Sequence, residues 1–245
     1  MLHWEDAATN RNRFAELLAG REGTTDLIVL PEMFTTGFSM RSRELAEGMD
    51  GPTVAWMQEQ ARKQDAALYG SLIIGEGGKH FNRGLFVEPD GTVTRYDKRH
   101  LFRFADETSH FSAGTDRVVV RWRGWRLLLQ ICFDLRFPVF ARNRGDYDAI
   151  LYVANWPEAR RHAWNQLLIA RAIENQCYVV GVNRVGMDGK GIHYAGDSAI
   201  IDPQGVVDNV VPGTGLVTGR LSLAPLEEFR KRFPVALEAD SFTLD

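Results

Sequence analysis

The chain has 245 residues, 44% of them hydrophobic, enough to bury a large core within one domain. Its net charge of −3 comes from both signs mixed throughout, which argues against nucleic acid or an anionic membrane surface as partner. No apolar run reaches the length of a membrane span, no basic segment leads into an apolar stretch at the start, and two cysteines make neither a disulfide framework nor a zinc site. A cytoplasmic, reducing setting is the expectation.

Residues 10–19 place Phe14, Leu17 and Leu18 at helical spacing with Gly20 just beyond, so a helix is predicted there. The run 26–30 (DLIVL) has the pattern of a strand covered on both faces. Behind Pro52, residues 53–65 form a second predicted helix, with Val54, Met57 and Ala61 in register. A strand at 67–74 precedes a hairpin of 81–87 and 92–96 around Pro89-Asp90-Gly91, which is good turn chemistry. Residues 116–122 and 125–131 pair around Gly124. A short helix at 137–143, a buried strand at 147–154, a long helix at 159–175 and a strand at 178–183 come next. The rest reads as a hairpin of 197–201 and 206–211, a strand at 216–221 and a basic helix at 226–232. Strands alternating with helices indicate an α/β protein, and the hairpins require mixed sheets. Scattered prolines and the absence of a linker or repeat favour a single domain over 1–245.

In α/β sheets, ligands bind outside the carboxyl ends of the strands. Glu32 follows DLIVLP, Lys98 follows TVTRYD, and Cys132 follows WRLLLQI. If those strands are neighbours, a carboxylate, an ammonium and a thiol share one mouth. Singly, each has an ordinary explanation: a turn, a solvated lysine, a small buried hydrophobe.

Together, the strings LIVLPEMFTTGF, YDKRHLF and ICFDLRFP resemble the Glu, Lys and Cys motifs of the nitrilase superfamily of carbon–nitrogen hydrolases. YVANWP, RAIENQCYVVGVNRVG and YAGDSAIIDPQG extend the similarity to most of the chain, from Leu27 to Leu223. The resemblance implies a four-layer αββα sandwich with mixed sheets, assembled as a homodimer. It implies Glu32 as general base, Cys132 as nucleophile and Lys98 as oxyanion stabiliser, aided by the backbone N–H of Phe133. Glu107, in RFADETSHF, matches the second glutamate that often follows the lysine. Neither cofactor nor metal is implied; the partners are a small amide and water. The chemistry suits these groups, since a thiol attacks a carbonyl well and a carboxylate can relay its proton to departing ammonia. A buried ammonium needs nearby carboxylates to stay charged.

Within the superfamily, YDKRHLFRFADE, CFDLRFPVFARN and NRVGMDGKGIHYAGDS are most similar to the bacterial omega-amidase branch. That implies deamidation of 2-oxoglutaramate or 2-oxosuccinamate, such as arises in glutamine-linked transamination and methionine salvage. The substrate's far carboxylate is expected near residues 155–161 or the aromatic loop 34–38, with Phe34, Trp156 and Arg136 as pocket residues. Asp134 and Arg136 are expected to pair and shape the turn that aims Cys132, and Cys177 to be core. Members of the family usually begin with a strand ahead of the segment matching Leu2-His3-Trp4-Glu5-Asp6. Either a start codon further upstream or a sheet lacking one element, with an exposed edge, is therefore expected. Other readings are a different amide or nitrile, a noncatalytic scaffold of the same fold, or a papain-like Cys–His hydrolase, although no Cys-Gly-x-Cys-Trp string surrounds Cys132.

Overall fold

The computed structural model describes residues 1–210 and 215–243. One sheet holds β1 (Leu27–Val29), β2 (Ala67–Glu76), β3 (Lys79–Val87) and β4 (Val93–Asp97) in that order. Here β1 runs parallel to β2, while β3 is antiparallel to both its neighbours. Consequently β1 and β4 end on the same side. The second sheet is built from β5 (Val119–Trp122), β6 (Trp125–Ile131), β7 (Ala149–Ala154) and β8 (Tyr178–Asn183). After a small ribbon, β9 (Val185–Met187) with β10 (His193–Ala195), the chain adds β11 (Ala199–Ile201) and β12 (Val207–Val210). The order is β12-β11-β8-β7-β6-β5, with β6, β7 and β8 parallel at the centre.

Side-chain alternation decides how these sheets stack. On β2, Ala67 and Tyr69 turn toward Leu129, Ile131 and Val153 of the second sheet, joining one core cluster. Leu68, Leu72 and Ile74 turn the other way, onto Val54, Met57 and Ala61 of the helix Pro52–Gln64. β7 is buried along its whole length, because the first sheet covers one face and the helix Arg161–Asn175 covers the other with Trp164, Leu168 and Ala172. Four layers result, αββα, as the resemblance implies.

Several expectations need correction. The strand predicted at 67–74 is longer and continues through Gly77 and Gly78, both at positive φ (+59° and +74°), so β2, β3 and β4 form a three-strand meander. The segment 216–221 is not a strand: it lines a cavity and has no ladder partner. The ribbon β9–β10 was not anticipated. The short helix at 137–143 shrinks to one turn, Pro138–Ala141. The last helix, Leu223–Arg232, starts earlier than predicted because Pro225 sits in its first turn, where no N–H is needed. Of the strand expected at 206–211, residue 211 lies outside the described residues.

One edge of the first sheet stands apart. Among the described residues β1 pairs only with β2, and its other edge faces a cavity of about 960 Å³. The walls include Leu18, Leu27, Val180, Val182, Ile200 and Leu221.

Candidate active site

At the shared end of the strands, four chain segments bring ionisable groups together. Glu32 comes from the turn after β1. There Met33 adopts φ +42° and donates its N–H to Ser71 Oγ (2.9 Å), fixing the turn against β2. Lys98 directly follows β4 and is held by its N–H to the Asn82 carbonyl (3.0 Å). Glu107 opens the one-turn helix Glu107–His110, and its Oε2 accepts the Phe102 N–H at 2.5 Å. Cys132 directly follows β6 in the left-handed region, φ +46°, a conformation that costs free energy for a residue with a Cβ and projects the side chain from the end of the strand.

Lys98, Glu32 and Glu107 are all inaccessible to solvent at their side chains. Lys98 Nζ donates to Glu32 Oε1 at 2.9 Å and to both oxygens of Glu107 at 3.1 and 3.0 Å. Its ammonium also sits 5.2 Å from the centre of the Phe38 ring. Burial works against the charged lysine, but the charges of Glu107 and Glu32 outweigh it and hold the pKa above the ordinary lysine range. For Glu107, burial raises the carboxyl, Lys98 opposes it, and the neighbouring Glu32 charge adds to the rise. Cys132 is 9% exposed. Burial pushes its thiol well above the ordinary range, the Glu32 charge pushes further, and Lys98 pulls back. Glu32 and Lys98 thus both act on the sulfur, and at rest the thiol keeps its proton.

Two asparagines complete the cluster, neither of them marked out by the sequence motifs. Asn82 Nδ2 donates to Glu32 Oε1 (2.8 Å) and to Glu107 Oε1 (3.2 Å). Asn155, immediately after β7, donates its backbone N–H to Glu32 Oε2 (2.8 Å) and its Nδ2 to the Glu32 carbonyl (2.6 Å). Glu32 is thereby held from both sheets. The signal for Asn155 was its position at a strand end in YVANWP; for Asn82 it was a polar residue within an otherwise buried strand.

The expected pocket residues divide. Phe34 does not face the site: it is fully buried in the outer core, edge-on to Phe14 (5.5 Å) and against Trp56 (5.7 Å). The turn at Met33 and the bond from Phe34 N–H to the Ser71 carbonyl (3.2 Å) send its ring to the helix side of β2. Trp156 follows Asn155 directly, and the exposed Arg136 lies over its ring at 5.1 Å. Arg136 and Asp134 do not pair. They stand two positions apart on a tight 3-10 turn, which sends Asp134 inward and Arg136 outward. Of the cations in 155–161, Arg161 is bound by Asp197 (2.5 and 2.8 Å), whereas exposed Arg160 covers Phe102 at 5.2 Å. Phe133 packs against Phe102 (5.0 Å) and Phe137 (5.2 Å), giving an aromatic rim. Its N–H lies in the first turn of a helical segment, where no intrahelical acceptor exists. Cys177 is core, as expected.

A thiol, two carboxylates and an ammonium buried at the mouth of an αββα sandwich define a class of enzyme: hydrolases of carbon–nitrogen bonds other than peptide bonds. The chain belongs to the carbon–nitrogen hydrolase family, whose sequence model matches residues 1–231. It is 49% identical over 245 residues to the omega-amidase YafV of Escherichia coli K12, covering 99% of this chain and 95% of that protein. With the 2-oxoglutaramate amidase of Bacillus subtilis it shares 33% identity over 216 residues, 86% of this chain and 83% of the relative. Among solved structures, a CN-hydrolase superfamily protein from Xanthomonas campestris, with an arsenic adduct in its active site, superimposes with a TM-score of 0.98 at 50% identity. That match covers 100% of this chain and 96% of the other. Yeast Nit3 shares the fold, with a TM-score of 0.81 at 23% identity.

Proposed function

We propose that the protein is an omega-amidase, hydrolysing the terminal amide of a small 2-oxo dicarboxylic monoamide such as 2-oxoglutaramate or 2-oxosuccinamate. The single observation that carries this reading is the meeting of three strand-end residues, Cys132 directly after β6 and the buried pair of Lys98 and Glu32, joined at 2.9 Å. Similarity to enzymes named for that reaction narrows the substrate.

The thiol stays protonated until substrate arrives, so its proton passes to Glu32 as sulfur attacks the amide carbon. The oxyanion forms against Lys98 Nζ and the Phe133 N–H, and each such donor is worth about 3 kcal/mol in comparable sites. Glu32 then delivers the proton to nitrogen, the C–N bond breaks, ammonia leaves and a thioester remains on Cys132. Water enters, gives a proton to Glu32 and attacks the thioester; the carboxylic acid departs and the proton returns to sulfur. Glu107 holds Lys98 in place and charged, leaving Glu32 free to cycle its proton. Arg136, exposed at the Trp156 ring, is positioned to meet the substrate's far carboxylate. The protein works as a homodimer in the cytoplasm, and exposed Ile173, Phe233 and Leu237 supply apolar surface for a partner copy.

The deciding assay is ammonia release from 2-oxoglutaramate, compared with glutamine, asparagine and simple nitriles. Turnover of the 2-oxo amide, abolished in Cys132→Ser, is expected. Turnover confined to nitriles sinks the substrate assignment, and an undiminished Cys132→Ser enzyme sinks the mechanism.

A further inference from the structure

The reacting groups come from different sheets: Lys98 follows β4 of the first, Cys132 follows β6 of the second. Their separation is therefore set by how the two sheets are locked together at this end. One buried carboxylate stands at that lock. Asp134 Oδ2 accepts from the Ile131 N–H (2.9 Å) and the Tyr96 hydroxyl (2.7 Å); its Oδ1 accepts from the His100 N–H (3.0 Å) and lies 2.7 Å from His100 Nδ1. Residues 96 and 100 stand two positions before and two after Lys98. Residues 131 and 134 enclose Cys132. A single side chain thus grips both catalytic segments on each side of the group they carry.

The surroundings leave this grip little freedom. Asp134 and Tyr96 are buried, and the His100 ring is stacked flat on Phe137 (3.9 Å, 6° between planes) and edge-on to Phe140 (5.3 Å). The left-handed backbone at Cys132 persists only if neighbouring contacts over-determine it, and the Ile131–Asp134 bond closes that turn. From the far side, Arg171 Nη2 holds the Leu135 carbonyl at 2.7 Å.

Building on the thioester mechanism above, we propose that Asp134 is a positioning residue which, through His100 and Tyr96, sets the distance between the Lys98 ammonium and the Cys132 sulfur. It touches neither substrate nor reacting atoms. Its effect runs through geometry, and a misplacement near 1 Å costs about 10²-fold in rate.

His100→Phe, which preserves the stack on Phe137 but deletes the Nδ1 contact, is the informative variant, with Asp134→Asn beside it. The reference is Trp122→Phe, which removes another cross-sheet hydrogen bond, Trp122 Nε1 to the Asp26 carbonyl at 2.8 Å, at the opposite end of the strands from Asp134. For any amide the wild type hydrolyses, His100→Phe is expected to lower kcat at least tenfold with KM held within threefold, while Trp122→Phe keeps kcat. Alkylation of Cys132 by iodoacetamide at pH 8, followed by mass spectrometry, needs no substrate. It is expected to slow severalfold in His100→Phe, because the lysine field that favours the thiolate moves away. Slowed alkylation in a protein inert toward 2-oxo amides would leave the positioning role standing and remove the substrate assignment. Should His100→Phe keep both kcat and alkylation rate, or should Trp122→Phe lose kcat equally, the positioning role is wrong. Because those two variants decide the matter between them, the test holds even where Asp134→Asn fails to fold.

Discussion

Two regions of this protein bury charge, and they do so in opposite ways. At the mouth of the sandwich, Lys98, Glu32 and Glu107 are removed from water, and Lys98 Nζ and the Glu32 and Glu107 carboxylate oxygens all have partners within 3.1 Å. Beside the outer edge of β1, Arg184 is 2% exposed, yet among the described residues its Nε and Nη1 have no hydrogen-bond partner; Nη2 donates to the Met187 carbonyl, and the cation rests on the Tyr194 ring. Burial holds the Arg184 pKa below its ordinary value, the reverse of Lys98. The cavity there is large and mostly lined by apolar groups. Depth of burial alone does not distinguish the two places. Whether the charged atoms are answered by opposite charge does.

That contrast can be broken by substitution. The largest effect is expected from Lys98→Met, which strands two carboxylates in the dry interior. It should cost about 3–5 kcal/mol in denaturant unfolding and lower kcat roughly 10³-fold. A stable, active Lys98→Met protein would show that the cluster is not held as described. Next, Glu107→Gln should keep the fold, since the amide still accepts from Lys98, but reduce kcat by roughly 10² through misplacement of the lysine; full activity would remove Glu107 from the site.

A third test reads the thiol. Burial and the Glu32 charge raise the Cys132 pKa, so the protonated form prevails through neutral pH and ionises only above the ordinary range. Iodoacetamide alkylation should therefore keep accelerating past pH 9, and Glu32→Gln, which removes one of the raising causes, should shift the curve to lower pH. A plateau below pH 8 would reveal a preformed thiolate. The smallest effect belongs to the other region: Arg184→Leu should change stability by under about 1 kcal/mol, since a poorly answered buried charge is replaced by an apolar group. Arg83→Leu should cost about 3 kcal/mol, because Arg83 is forked onto Asp97 at 2.6 and 3.0 Å. Equal losses at the two arginines would erase the contrast.

Of the proposed catalytic set, Glu32, Lys98 and Cys132 are readable in sequence because each stands just past a strand, whereas Glu107, opening a one-turn helix, is legible only through its likeness to the family motif. Asn82 is not readable. It lies mid-strand, and only the meander that brings Lys98 N–H to its carbonyl turns it into a ligand of both glutamates. Phe34 misleads for the converse reason: adjacency to Glu32 in the chain suggests a shared pocket, whereas one left-handed residue, Met33, sends the two side chains to opposite faces. Asp134 finds a partner other than the one expected, since charge favours Arg136 and the pitch of the turn does not. The segment 216–221 has the apolar content of a strand, but a ladder needs a neighbour, and that is a property of the assembled sheet.

The depth of the reacting atoms carries one last consequence. With the side chains of Glu32, Lys98 and Glu107 sealed and Cys132 only 9% exposed, the scissile bond has to travel to the enzyme's groups. An amide at the tip of a slender, unbranched tail is therefore expected to be turned over faster than one flanked by bulk on both sides, and a comparison of the two rates checks it.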